Sequence, residues 1–267
     1  MALGIVVCGV GGRMGGAVVR AIQQTPDMEL VGAVDKPGSA RLGKDAGTVV
    51  GAEELGIPIT DSLAAALKRN SVIIDFTHPE ASLSFLKFAV QTRTPMVIAS
   101  TGFSASQQAQ IKRLARRTPT LLSANTSLGV NVLVSLVADA AKRLGEDYDV
   151  EIIEAHHRFK KDAPSGTALA LGQSATAALG RDLGKVMVTG RQGIVDERSK
   201  REVALLSVRA GDIVGEHTVI FGGIGERIEL IHRAHSRNTF AKGALRAAKW
   251  LAKKKPGLYN MRDVLGL

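Results

Sequence analysis

The sequence predicts an α/β protein of two domains: a parallel sheet flanked by helices, then an α+β unit with an open mixed sheet. Three observations carry this. Strand-like and helix-like stretches alternate through the first half, as when crossover helices join parallel strands. A glycine-rich turn leaves the first strand and opens a helix. After about residue 127 the alternation gives way to a run of strands with few helices.

Leu3 to Cys8 is an unbroken apolar run ended by glycines, the pattern of a strand buried on both faces. Arg13 to Gln24 follows as a helix, with Met14, Ala17, Val18, Ala21 and Ile22 at helical spacing. Glu29 to Val34 reads as the second strand, closing on Asp35. Ser62 to Arg69 reads as a helix and Val72 to Phe76 as a strand. Pro79 suits a first helical turn and opens a helix through Ala89. Met96 to Ala99, Ser104 to Arg117 and Thr120 to Ser123 supply a strand, a polar helix and a short strand. Asn131 to Leu144 is then a long apolar helix, Val150 to Ala155 a strand and Ser165 to Leu179 a helix. Strand-like runs follow at 186–189, 203–209, 216–221 and 226–232, before an amphipathic helix from Phe240 to Lys253. Periodicity leaves open which domain that last helix joins.

With 267 residues, 45% of them hydrophobic, the chain is long enough for two modest cores. Its one cysteine, Cys8, lies in an apolar run; it cannot staple a fold and fits a reducing, cytoplasmic setting. The uncharged stretch from Thr118 to Ala138 contains Asn125, Thr126, Ser127 and Asn131, so no membrane span is expected. A net charge of +10 admits nucleic acid, a membrane surface or small anions as partners. From Ala241 on, seven basic residues stand against one acidic. Cations at a helix C-terminus complement its dipole, so small anions are the expected partners, and neither nucleic acid nor membrane is.

The glycine turn is the first constellation with chemistry. Gly9, Val10, Gly11, Gly12, Arg13 and Met14 run from the first strand into the helix, and Gly15 completes the spacing Gly9, Gly12, Gly15. Missing side chains let backbone approach a pyrophosphate, and the helix N-terminus offers free N–H groups and positive potential. Asp35 ends the second strand about twenty residues on, where a carboxylate accepts hydrogen bonds from ribose hydroxyls. The first domain is therefore expected to be a Rossmann-type dinucleotide-binding domain. Asp35 repels a 2′-phosphate and favours NADH, while Lys36 beside it offers a cation to NADPH.

The second constellation runs from Glu151 through Glu154, His156, His157, Lys160 and Asp162 to Pro164-Ser165-Gly166-Thr167-Ala168. Two histidines and several cations sit at the end of a strand, and Ser165 is a good N-cap that leaves Gly166 and Thr167 to present amides to an anion. The set suits a carboxylate-bearing substrate that needs a proton delivered. The plainer reading, an ordinary N-cap and surface histidines, stays open on composition alone. A metal is not expected: adjacent histidines point to opposite faces of an extended segment, and no further ligand pair stands nearby.

Glu-x-x-Glu-x-His-His-x-x-x-Lys-x-Asp-x-Pro-Ser-Gly-Thr-Ala resembles the signature of the 4-hydroxy-tetrahydrodipicolinate reductases. The turn at 9–15, Asp75-Phe76-Thr77, Ser100 to Phe103, Asn125 to Asn131, Arg209-Ala210-Gly211, Gly215-Glu216-His217 and the stretch 225–237 match the same family. The resemblance implies NAD(P)H-dependent reduction of a cyclic dicarboxylic imine at C4, with loss of the 4-hydroxyl as water. It implies His156 as the acid/base group, Lys160 as its proton-donating partner, and His157, Gly166 and Thr167 at the substrate carboxylate. Gly9 to Met14, Asp35 and Lys36 would hold the adenosine half of NADH or NADPH. Ala99, Ser100, Thr101, Ser123, Ala124, Asn125 and Thr126 would line the nicotinamide half, with Thr101 near the substrate. It further implies a dinucleotide domain of residues 1–127 and 238–267, a substrate-binding and tetramerisation domain of 128–237, closure of the two over substrate, and a homotetramer. Ala99, Ala124 and Thr126 depart from the family pattern, all on the nicotinamide side. Other readings are a different two-domain NAD(P)-dependent dehydrogenase, which would lack the Lys-x-Asp-x-Pro-Ser-Gly-Thr segment, or an NADH-binding redox sensor, against which His156 and Lys160 speak.

Overall fold

The structure, a computed structural model, describes residues 2–267. In chain order the elements begin with β1 (Leu3–Cys8), α1 (Arg13–Gln23), β2 (Met28–Val34), α2 (Ala46–Val49), β3 (Ile59–Thr60) and α3 (Leu63–Ala66). β4 (Ser71–Asp75), α4 (Pro79–Thr92), β5 (Met96–Ile98), α5 (Ala105–Leu114) and β6 (Pro119–Leu122) follow. Then come α6 (Leu128–Leu144), β7 (Asp149–His156), α7 (Gly166–Ala178), α8 (Leu183–Val186) and β8 (Met187–Val188). The chain ends with β9 (Val203–Arg209), β10 (Gly215–Gly222), β11 (Arg227–Ala234), α9 (Asn238–Leu251), β12 (Gly257–Tyr259) and α10 (Met261–Leu265). Two compact units result: one runs to Leu128 and takes back Arg237–Leu267, the other is Gly129–Ser236.

The first unit is built on a seven-stranded sheet in the order β12-β6-β5-β4-β1-β2-β3, parallel throughout. Its central strands are buried on both faces, so they read as continuous apolar runs. Ile5 and Val7 face α1 and α9 through Val18, Ile22, Leu245 and Ala248; Val6, Cys8 and Ile73 pack with Leu83 and Leu86 of α4. The small residues Ala241, Ala244, Ala247 and Ala248 form the buried stripe of α9, which packs on α1 and the central strands. Local signals start the helices: Pro79 opens α4, and Ser104 with Gln107 makes a reciprocal capping box on α5.

The second unit is a five-stranded mixed sheet, β11-β10-β7-β9-β8. β7, β9 and β8 are parallel, whereas β10 pairs antiparallel with both β7 and β11. One face packs Ile152, Leu205, Val219 and Phe221 against Leu133, Val137 and Leu171 of α6 and α7. On the other, Ile153, Val208 and Ile231 stand 36%, 45% and 45% exposed.

The pattern expected from sequence is the observed one for the long elements and differs at the short ones. The helix expected over Ser62 to Arg69 stops at Ala66, because Leu67 is already extended and Asn70, at φ 61°, turns the chain into β4. α2, β3, α8, β12 and α10 leave no signature in the sequence: two to five residues are too few for a periodicity to register. Part of the positive charge is also accounted for. Arg93, Arg117 and Lys254 follow the C-termini of α4, α5 and α9 and, with Lys68 and Arg69, rim a groove of about 990 Å³ at the amino ends of the strands. Helix C-terminal carbonyls favour cations there. Among the described residues no helix is long and apolar enough to cross a membrane.

Candidate active site

At the carboxyl end of the first sheet, β1 has β2 on one side and β4 on the other, so the strand order reverses and a crevice opens. α1 starts there behind the glycine turn. Gly12 is its N-cap, no side chain caps its first-turn amides, and that turn holds no acidic residue. Such a helix end suits a pyrophosphate. Gly15 permits the tight start: a Cβ there would collide with the Gly9 carbonyl. The Asp35 carboxylate accepts from the Lys36 amide at 3.0 Å and the Ser39 hydroxyl at 2.7 Å. It lies over Gly11, where a Cβ would clash with it, so a bare glycine floor beneath a carboxylate is available to a ribose. The fit to a dinucleotide is good. The side-chain cation beside Asp35 is Arg41, at 3.8 Å, a residue that sequence spacing did not single out, while the Lys36 residue is exposed.

Ala99 and Ser100 follow β5, and Ser123 follows β6, at the same end of the sheet. Their backbone is tied to the strands: Ala99 donates to the Asp75 carbonyl at 2.9 Å, and Ser123 to the Ile98 carbonyl at 3.0 Å. Ser100 is buried; its hydroxyl accepts from Ser82 at 2.9 Å and reaches Asp75 Oδ2 at 3.3 Å. Burial raises the Asp75 carboxyl above its usual range, opposed by hydrogen bonds from Ser82, Thr77 and Ser100. Thr101 and Ala124 are exposed, and the Ser123 hydroxyl donates to the Asn125 carbonyl at 2.7 Å. Thr126 differs from its neighbours. It is buried, and its hydroxyl donates to the Phe240 carbonyl at 2.7 Å, which turns the side chain onto α9.

In the second unit, His156 ends β7, the middle strand of its sheet. Its Nδ1 lies 2.6 Å from Oε2 of Glu154, which is fully buried. Arg209 of β9 forks onto that carboxylate, Nη1 to Oε2 and Nη2 to Oε1, both at 2.8 Å. The Ser165 amide donates to Oε1 at 3.1 Å, and the Ser165 hydroxyl caps α7 by accepting from Ala168 at 3.2 Å. That hydroxyl also lies 3.2 Å from His217 Nε2, and the His217 ring meets His156 edge-on at 5.2 Å. Burial lowers His156 below the ordinary imidazole value, against the pull of Glu154, and lowers His217 to about 3. Both rings are therefore neutral near pH 7.

Lys160 donates to both oxygens of Asp162 at 2.9 Å, and Arg209 bonds the Asp162 carbonyl at 2.6 Å, so loop and strand share one polar network. His157 has a buried Nδ1 with no hydrogen-bond partner among the described residues. Gly166 is exposed as the first residue of α7, next to Thr167. The sequence pattern alone assigns no role to Glu154, Arg209 and His217, and to Ser165 only that of a cap. The signal for Glu154 was present in the alternation: it falls in phase with the buried Val150 and Ile152. Among the described residues no group of His, Cys, Asp or Glu is arranged to hold a metal ion.

Known proteins match this chain in both of its halves. The family description "Dihydrodipicolinate reductase, N-terminus" matches residues 3–126, and "Dihydrodipicolinate reductase, C-terminus" matches residues 129–265. A 4-hydroxy-tetrahydrodipicolinate reductase from Syntrophus aciditrophicus is 50% identical over 261 residues, 98% of this chain and 97% of that one. The enzyme of that name from Thiobacillus denitrificans is 50% identical over 267 residues, covering both chains completely. Among solved structures, a dipicolinate-bound dihydrodipicolinate reductase from Paenisporosarcina sp. TG-14 has the same fold, with a TM-score of 0.77 at 24% identity over 97% of this chain and 98% of that one. An amine dehydrogenase from Mycobacterium smegmatis shares it more loosely, with a TM-score of 0.62 at 15% identity over 98% of this chain and 95% of that one. Matched end to end by both halves of one family and by relatives at half identity, this chain belongs to the dihydrodipicolinate reductase family.

Proposed function

We propose that this chain catalyses the NAD(P)H-dependent reduction of (2S,4S)-4-hydroxy-2,3,4,5-tetrahydrodipicolinate to tetrahydrodipicolinate, with loss of water, in lysine and diaminopimelate biosynthesis. The observation that carries it is identity of about half over full length with reductases of that name. NADH or NADPH supplies the hydride when bound. The chain's own residues bind, orient and move protons. Gly9 to Met14 would hold the pyrophosphate on the α1 amides, and Asp35 the ribose hydroxyls, with Lys36 and Arg41 as the cations for a 2′-phosphate. Ala99, Ser100, Thr101 and Ser123 to Asn125 would line the nicotinamide half; Thr126 would support that loop from behind through its bond to Phe240.

Substrate carries two carboxylates, and the strand-end network answers them with cations and amides. His157, Gly166 and Thr167 would take a carboxylate; the partnerless buried Nδ1 of His157 supports its part. His156 would deliver the proton that lets the 4-hydroxyl leave as water, and Lys160, released from Asp162, would resupply it. A dianion next to a neutral imidazole raises its proton affinity, so substrate itself would charge His156.

The open face of the second sheet supports a homotetramer. Leu206, Ile153, Thr218 and Ile231 form one row across β9, β7, β10 and β11, and Ile153 and Ile231 are exposed. An apolar row on an open sheet calls for a covering partner, and a second copy of the chain supplies one. Light scattering on the purified protein should give four times the chain mass, and Ile231→Glu should lower it. A cytoplasmic location follows from the nicotinamide-dependent biosynthetic reaction. The central test is NADH oxidation coupled to a synthase that makes substrate from pyruvate and aspartate semialdehyde. Oxidation that depends on the synthase is expected. None with either cofactor, from folded protein that binds NADH, would sink the assignment.

A further inference from the structure

We propose that Glu154, clamped by Arg209, is the positioning residue that fixes the tautomer and orientation of His156, keeping the proton on Nδ1 and leaving Nε2 for the substrate. This rests on the reading of His156 as the acid/base group. Glu154 sits on the core side of the central strand β7, in phase with Val150 and Ile152, and has no exposed surface. An ionised carboxylate in such a place is costly unless its lone pairs are answered, and an apolar residue of the same size would fill the space more cheaply. Here the two oxygens are met by the Arg209 fork at 2.8 Å twice, the Ser165 amide at 3.1 Å and His156 Nδ1 at 2.6 Å, and Ser207 bonds the carboxylate as well. The fork reaches because Arg209 stands opposite His156 in the β7–β9 register.

Arg209 alone would satisfy a structural ion pair. The histidine is the partner that gives the buried charge a use. Burial pushes the Glu154 carboxyl up, but hydrogen bonds from Arg209, His156 and Ser207 win and hold it at about 2. An ionised carboxylate only accepts, so Nδ1 must donate and Nε2 carries the lone pair. Space around Nε2 agrees: a Cβ at Gly215 would lie 3.1 Å from it, so a glycine there keeps a side chain from pressing on the nitrogen. The His217 ring, edge-on at an interplanar angle of 75°, limits rotation of the imidazole. The groups whose charge bears on His156 are Glu154, Lys160, Arg209 and His217. In the reaction Nε2 first takes up a proton from solvent or Lys160 to give the imidazolium, with Nδ1–H still bonded to Glu154. Nε2 then passes that proton to the departing C4 oxygen, which leaves as water, and regains its lone pair.

Two variants and one spectrum test this. Glu154→Gln removes the charge but strands a guanidinium, so the double variant Glu154→Gln/Arg209→Met accompanies it, with folding checked by circular dichroism and by NADH binding. Both should lose kcat by about 10²–10⁴-fold, the usual worth of general acid–base catalysis and at most the loss of about 10⁴ when a triad carboxylate becomes its amide, with KM changed only a few-fold. Glu154 raises the proton affinity of His156, so its removal should move the alkaline limb of the kcat/KM profile to lower pH. In ¹⁵N spectra of histidine-labelled protein, neutral His156 should be Nδ1-protonated, and Glu154→Gln should erode that population. A folded double variant within about threefold of wild-type kcat, or a wild-type His156 protonated on Nε2, would overturn the proposal. A Nδ1-protonated His156 in a protein that does not turn over the substrate would uphold the positioning and sink the reaction assignment instead.

Discussion

The glycine turn of the first unit and the strand end of the second are built from different materials. At the turn, backbone carries the chemistry: uncapped α1 amides, a bare Gly11 floor and one carboxylate, Asp35. At the end of β7, side chains carry it: Glu154, His156, Arg209, Ser165, His217, Lys160 and Asp162 are joined by ion pairs and hydrogen bonds. A backbone site senses a substitution only when the new atoms occupy space, whereas a side-chain site senses each loss of charge or proton. Changes at the first should therefore move cofactor affinity and changes at the second turnover.

The largest expected effect is at β7. His156→Gln or Lys160→Ala should lower kcat by about 10²–10⁴-fold, the usual worth of general acid–base catalysis. NADH affinity, read by fluorescence titration, should change little in either. Wild-type turnover in both variants would remove them from the mechanism, and a matching loss of NADH affinity would break the division between the two regions.

A smaller and opposite pattern is expected at Asp35. Asp35→Ala removes charge-assisted hydrogen bonds worth about 1.5–3 kcal/mol, so the NADH Kd should rise roughly 10–100-fold while kcat at saturating NADH holds. NADPH affinity should fall less, because the lost carboxylate also repelled its phosphate. If the Arg41 guanidinium beside Asp35 is the cation that meets the phosphate, Arg41→Ala should weaken NADPH more than NADH, and Lys36→Ala should do so less. The reverse order would restore Lys36 to that place.

The same contrast governs what could be read before folding. The Leu3–Cys8 run, the α1 periodicity and Asp35 are local patterns, and the sheet assembles them in the way the pattern implies. His156 and Lys160 were legible because they stand in one short segment. Arg209 and His217 were not, because they join His156 from strands more than fifty residues on, through the β7–β9 and β7–β10 pairings. No spacing rule reaches that far. Thr126 shows another long-range partner: its place in the sequence suggests the crevice, and Phe240, more than a hundred residues on, takes its hydroxyl.

The smallest effect is on stability, and its pH window separates the groups at β7. His217 is held at about 3 in the folded chain against a usual value of 6.5, first by burial and then by the neighbouring His156, while Glu154 pulls the other way. The unfolded chain therefore takes up a proton on this ring below about pH 6.5 and the folded chain does not, so stability falls as pH drops from there towards 3. Glu154, at about 2 against 4.5, loses its contribution only below about pH 4.5. Between pH 6.5 and 4.5 His156 and His232, also lowered, add to His217, while the Asp75 carboxyl, raised by burial, has the opposite sign. His217→Gln can still bond Ser165 but does not titrate. It should flatten the melting temperature across that window by an amount worth about 1–2 kcal/mol, or roughly 2–8 °C. An unchanged slope would mean that water reaches His217 when it charges, and that the packing around His156 is looser than its hydrogen bonds suggest.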